Sequence, residues 1–130
     1  MIPKFRAWDK RENTMRDVAV LHFTKGGKVN SIEYWKIPSE LKSYHVRNLV
    51  LMQSTGLKDK NGVEIFEGDV LYYIPFESHI NDSIVVFEKG SFCKKMLRNG
   101  KLTSVKFIDS EEYEVIGNVW DNPELLEGTE

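Results

Sequence analysis

The sequence predicts a mainly β protein, and three observations carry that expectation. Glycine-bearing turn signals recur between short apolar runs, at Lys25-Gly26-Gly27-Lys28, Asn61-Gly62, Lys89-Gly90 and Asn99-Gly100. Several of those runs alternate apolar and polar side chains, the period of a strand with one buried face. Residues 51–73, LMQSTGLKDKNGVEIFEGDVLYY, set two turn signals close together. Asn61-Gly62 suits the two positive φ angles of a tight hairpin turn, and Gly68 stands where the chain must bend before Val70 opens the next strand. Many short strands at this spacing favour a barrel or a sandwich.

The elements follow in order. Lys4 to Trp8 is the first strand, and Asp9 to Asn13 a polar turn. Val18 to Phe23 and Val29 to Trp35 form a hairpin about Lys25–Lys28, with Ile32 and Tyr34 on one face and Glu33 and Trp35 on the other. Pro38-Ser39-Glu40 opens a short helical turn in which Ser39 caps Glu40-Leu41-Lys42. Val46 to Gln53 is β-rich, Lys58 to Gly62 a loop, and Val63 to Phe66 the return strand. Asp69 locks the turn after Gly68 by accepting from nearby backbone N–H groups. Val70 to Tyr73 ends before Pro75. Ser83 to Phe87, Phe92 to Leu97 and Leu102 to Phe107 follow, the last two about Arg98-Asn99-Gly100-Lys101. Glu114 to Trp120 is the last strand. Asn122 then caps a C-terminal helical turn whose first position is Pro123, with Glu124 at its positive end. The organisation expected is an N-terminal antiparallel β meander over 1–50 and a barrel region over 51–130.

At 130 residues, 41% of them hydrophobic, the chain is long enough for a real core. No run approaches the roughly 18 apolar residues of a membrane span. The start, MIPKFRAWDKRENTM, lacks the apolar region of a secretory signal. Cys93 is the single cysteine and reads as a small buried hydrophobe, which suits a reducing cytoplasm. The net charge of −2 conceals segregation. Residues 1–50 carry ten Lys/Arg against five Asp/Glu, giving +5, and residues 51–90 three against seven, giving −4. Residues 91–110 carry five against one, giving +4, and residues 111–130 none against seven, giving −7. Such blocks pair within one molecule or offer complementary faces for self-association.

Chemistry is sparse. His22, His45 and His79 lie far apart with no zinc-ligand spacing, so neither metal nor cofactor is expected. Ser54-Thr55-Gly56 has no base placed by spacing, and no glycine-rich loop opens a helix. Glu67 and Asp69, with Asn118, are the candidates for an enzyme, provided that they meet in a cleft. For nucleic acid, Lys94, Lys95, Arg98 and Lys101, with Lys106, Phe92 and Phe107, form the first candidate patch. Lys4, Arg6, Lys10, Arg11 and Arg16 with Trp8 form the second.

Three blocks resemble the YopX-like proteins, a small family of phages and prophages of Gram-positive bacteria. They are MQSTGLKDKNGVEIFEGDVL, the opening Lys4-Phe5-Arg6-Ala7-Trp8-Asp9, and the closing segment Glu114 to Leu126. Residues 74–110 match no familiar pattern. The resemblance implies a mostly β fold with an SH3-like barrel and a phage or prophage origin, and it carries no activity with it. The function expected is non-enzymatic binding in the bacterial cytoplasm, with self-assembly or a protein partner ahead of nucleic acid and no membrane.

Overall fold

The computed structural model describes residues 4–76 and 78–126, the Phe107 side chain excepted. Contacts divide the chain into two compact units, residues 1–53 and 54–130.

The first unit contains β1 (Phe5–Asp9), β2 (Thr14–Phe23), β3 (Val29–Ile37), β4 (Glu40–His45) and the start of β5 (Leu49–Lys58). All pairings are antiparallel, in the order β4-β3-β2-β1-β5. Ala7, Ile32 and Tyr34 are buried, packed by Val18, Leu21, Val29, Tyr44 and Leu51 among others. Val18 and Leu21 have opposite parity, so a regular strand would put them on opposite faces. A register shift between Val18 and Val20 inserts the extra residue that lets both reach this core. Ile32 lies opposite Leu21 on one side and Tyr44 on the other and is 0% exposed. That burial stabilises the fold by about 1.5–3 kcal/mol.

Residues 40–42 do not form the expected helical turn. Pro38 and Ser39 are the two-residue connection of a hairpin, and Glu40–His45 is strand β4. Pairing with β3 overrides the local capping signal, because it sets Tyr44 against Ile32 in the core and satisfies the backbone along six residues.

The second unit contains the end of β5, β6 (Glu64–Phe66), β7 (Asp69–Tyr73), β8 (Ser83–Glu88), β9 (Ser91–Met96), β10 (Leu102–Ser104) and β11 (Tyr113–Asn118). Five of these form an antiparallel sheet in the order β10-β9-β8-β7-β11. Its core is Ile65, Leu71, Val85 and Tyr113, flanked by Leu57, Tyr73, Ile108 and Val115. The SH3-like barrel expected here is not closed among the described residues. Strand β10 is three residues long and gives way to 3-10 turns at Val105–Phe107 and Ser110–Glu112, so no ladder joins it to β11. The outer edge of β11 is covered by the loop before β6. Lys60 N–H donates to the Tyr113 carbonyl at 3.0 Å, and Val115 N–H donates to the Asp59 carboxylate at 2.9 Å.

Asp59 is the hub of that loop. Its Oδ1 accepts from the N–H groups of Asn61 and Val63, both at 2.8 Å, while Oδ2 takes Val115 N–H. Asn61-Gly62 is not the two-residue turn that the sequence suggests. Only Gly62 has positive φ, at 80°, and Gly62 N–H donates to the Asp59 carbonyl. The Asp59 side chain holds the wider loop. Asn99-Gly100 behaves alike, with only Gly100 at positive φ. The tight turn falls instead on Lys89-Gly90, where φ is 54° and 81° and Glu88 pairs with Ser91.

Gly68 has φ 90°, its N–H donates to the Val85 carbonyl, and its carbonyl accepts from Val119 N–H. Asp69 Oδ2 accepts from Phe66 N–H at 2.8 Å across the bend. Gly117 sits at the β11 register shift, where a Cβ would come within 2.5 Å of Asn122 Oδ1 and 2.9 Å of Leu125 Cδ1. A 3-10 turn spans Pro123–Leu126. The Asn122 side chain accepts from Asn118 N–H at 3.3 Å, which closes the chain back behind β11.

Asp59→Ala leaves three N–H groups without their acceptor and should lower stability by about 2–3 kcal/mol in urea denaturation of the full chain. Gly68→Val should cost about 1–3 kcal/mol, since a β-branched residue is strained at this φ. An unchanged denaturation midpoint for either variant would contradict the role given to that residue.

Candidate interaction surfaces

Part of each basic cluster read from the sequence is spent on partners within the fold. In the first, Asp9 belongs to β1, and its side chain is fully buried between two guanidinium groups. Arg11 donates its backbone N–H at 3.0 Å and a guanidinium nitrogen at 3.4 Å, and Arg16 approaches at 3.4 Å. The Arg11 guanidinium also lies 3.2 Å from the centre of the Tyr44 ring and that of Arg16 lies 4.8 Å from Tyr34. Arg16 is paired with Glu12 as well. Burial pushes the Asp9 carboxyl up. The Arg11 N–H and the two guanidinium groups outweigh burial and hold it below the ordinary aspartate value.

The second cluster is split by the pleat of β9. Lys94 lies opposite Val85 on the core face and donates to the Tyr113 hydroxyl at 3.0 Å. Lys95 faces the other way and pairs with Glu88 at 3.7 Å. Arg98 and Lys101 remain exposed at the β9–β10 turn, and Lys106 is exposed too. Phe92 stacks edge-on against Phe87 at 5.1 Å, and the Phe107 side chain falls outside the described residues. Lone Cys93 is buried, its thiol against the Glu88 and Ser91 carbonyls.

The strand pairing does set Asp69 opposite Asn118. Both are committed to turns. Asp69 is 2% exposed and holds Phe66 N–H. Asn118 accepts from the N–H groups of Trp120 and Asp121 and donates to the Asp121 carboxylate. Glu67, two residues before Asp69, is half-buried. The histidines are dispersed. His22 bonds Glu33, His45 accepts from Arg47 N–H, and His79 bonds Asp82 at 2.8 Å with the Tyr72 ring 5.0 Å away. Asp82 is buried, which raises its carboxyl, and the contact with His79 opposes that rise. The Ser83 hydroxyl beside it is fully buried.

The surface that sequence reasoning missed is apolar and lies on the first unit. Val20, Phe23, Trp35, Ile37 and Leu41 are exposed by 40 to 59%. Trp35 lies directly opposite Leu41, on the face away from Ile32 and Tyr34. A groove of about 780 Å3 opens here, lined by Phe5, Val18, Val20, Leu21, Phe23 and Trp35 together with Lys4 and Ala19. The signal was present in the sequence. Val18-Ala19-Val20-Leu21 and Tyr34-Trp35-Lys36-Ile37 are apolar at both parities, so one face of each strand had to remain without a core to fill.

The charge blocks are also left open. Lys10, Lys25, Lys28, Lys36 and Arg47 of the first unit form no ion pair among the described residues, and neither do Glu111, Glu112, Glu114, Asp121 and Glu124 of the second.

Asp9 has a lowered folded value, so the stability it contributes is present above the ordinary aspartate pKa of about 3.9 and is lost as pH falls through the folded value. Asp82 has a raised value and acts with the opposite sign. Asp9→Asn should therefore be less stable than the parent at pH 7 and lose less on going from about pH 4 to pH 2. Parallel acid profiles by circular dichroism would refute the assignment. Lys94→Met should cost about 1 kcal/mol, and Arg98→Ser or Lys101→Ser less than about 0.5, measured by denaturant titration.

The family model described as YopX protein matches residues 4–127. The fold is similar to the crystal structure of protein EF1440 from Enterococcus faecalis, with 33% identity and a TM-score of 0.71 over 97% of this chain and 99% of that one. It is also similar to the crystal structure of protein yopX from Bacillus subtilis, with 23% identity and a TM-score of 0.62 over 94% and 96%. No curated protein matches the chain. Among the described residues no helix is long and apolar enough to cross a membrane. With a family match over nearly its whole length, the chain belongs to the YopX family.

Proposed function

We propose that this protein is a non-enzymatic binding module that assembles with further copies of itself, in the cytoplasm of a bacterium that carries the phage or prophage encoding it. The observation that carries the reading is the pairing of two unsatisfied surfaces. The apolar groove of the first unit belongs to a segment in which Lys10, Lys25, Lys28, Lys36 and Arg47 form no ion pair among the described residues, and residues 111–124 hold five carboxylates that form none there either. Local neutralisation would have consumed those charges, whereas a partner of opposite sign uses both surfaces. The cytoplasmic setting is supported by the lone, buried Cys93, and the phage setting by the resemblance of the three sequence blocks.

Nucleic acid has less support, because Lys94 and Lys95 already have partners, leaving Arg98 and Lys101 of the four cations first considered. An enzyme using Glu67, Asp69 and Asn118 has less still, since Asp69 and Asn118 are committed to turns.

The test is light scattering coupled to size exclusion at several concentrations and salts. The expected result is an assembly larger than the monomer at low salt. It should dissociate as screening shortens electrostatic reach from about 8 Å at physiological ionic strength to about 3 Å at 1 M. A monomer at low and high salt at high protein concentration would end the proposal.

A further inference from the structure

We infer that the copies associate head to tail, the apolar groove of one taking the acidic turn Pro123–Leu126 of the next. This rests on the self-assembly reading and goes beyond it by naming both halves of the contact. The groove side is basic. It includes Lys4 and belongs to a block of net charge +5. Phe23 stands beside the turn that bears Lys25 and Lys28, and Trp35 precedes Lys36, three lysines without an ion pair among the described residues.

The occupant must be apolar, exposed and negatively charged. Among the described residues of the second unit the large exposed apolar side chains are Val63, Phe76, Ile80, Phe87 and Leu126. Val63 follows Lys58 and Lys60, and Phe87 precedes Lys89 and is stacked on Phe92. Phe76 and Ile80 lie in residues 51–90, a block of net charge −4 that includes three lysines. Leu126 alone lies in a block that has no Lys or Arg at all, residues 111–130, of net charge −7. Its 3-10 turn also presents Glu124 and is fixed from behind by the Leu125 contact with Gly117 and the Asn122 bond to Asn118. A preformed apolar turn with acidic neighbours loses little freedom on docking.

Each copy has one groove and one turn, on different units of the chain. Two copies that exchange them reciprocally close as a dimer, and otherwise the assembly is a larger ring if the rotation closes and a filament if it does not. A face-to-face dimer through Trp35 would instead bring two blocks of +5 together, which like-charge repulsion opposes.

The experiment uses complementary variants of the full chain. Trp35→Asp disables the groove and Leu126→Asp the turn, and Phe23→Ser is a second groove variant in case Trp35→Asp perturbs the sheet. Circular dichroism confirms folding of each. Each variant alone is expected to weaken self-association by about tenfold or more, as removal of a central interface anchor does. A one-to-one mixture of a groove variant and Leu126→Asp should give a species of twice the chain mass, because one intact groove meets one intact turn. Assembly of Leu126→Asp like the parent, with the groove variants monomeric, would overturn the head-to-tail contact while leaving self-assembly standing. A mixture that stays monomeric would overturn it as well. A parent chain that is monomeric throughout would remove both readings.

Discussion

A small antiparallel protein must find partners for the backbone groups along its sheet edges, and in the second unit one carboxylate does much of this. Asp59 draws three N–H groups to itself. Two belong to its own loop, and the third lies 56 positions along the chain in β11. The same residue therefore shapes the β5–β6 connection and covers the outer edge of the last strand, helped by Lys60 N–H on the Tyr113 carbonyl. An exposed edge is a template for unwanted pairing, and a loop bonded along it removes that template. Covering an edge in this way does not require the sheet to close on itself. This accounts for a unit with barrel-like strand content and an open strand order.

The first unit solves a related problem with Asp9. A carboxylate buried without partners is costly, and here two arginines and a backbone N–H surround it. The arginines in turn lie over Tyr34 and Tyr44, which belong to strands β3 and β4. Through them the end of β1 is tied to the far side of its own sheet. The consequence for function is subtractive. Arg11 and Arg16 look like part of a basic binding face when read along the chain, yet their charge is consumed by Asp9 and Glu12.

What could be read from the sequence follows from how local the signal is. Gly68 and Asp69 were legible because a positive φ and a side chain accepting from a backbone N–H three residues before it are both settled within a few residues. The inward positions Ile32 and Tyr34 were legible from alternation. Asp59 was not, because its decisive partner, Val115, is remote and nothing near residue 59 announces it. The same ignorance misplaced the tight turn. Asn61-Gly62 has the better local chemistry, but Asp59 supplies its own closure there, and Lys89-Gly90 takes the tight geometry because Glu88 and Ser91 are directly paired. Residues 40–42 were misread for a similar reason, since the strand they join is the context that decides them. The four-cation hairpin was legible as composition but not as a surface. The pleat turns Lys94 inward to Tyr113 while Lys95 faces out to Glu88, and the register that fixes this is not written in the residues themselves.

The exposed apolar face and the segregated charge are best understood together. Neither is needed for either core, and each is a cost to a chain that remains alone. Exposed aromatic surface invites aggregation, and like charges gathered in one segment repel. Phe23 and Trp35 could be polar without loss to the Ile32 cluster, and residues 111–130 contain no lysine or arginine of their own to offset their carboxylates. The apolar face sits in the segment of excess positive charge, and the segment of greatest negative charge ends in exposed Leu126. Apolar burial is non-directional and gives affinity, while charge of opposite sign sets which surface meets which. The two features lie on separate units of the chain, and they are the basis of the contact between copies proposed above.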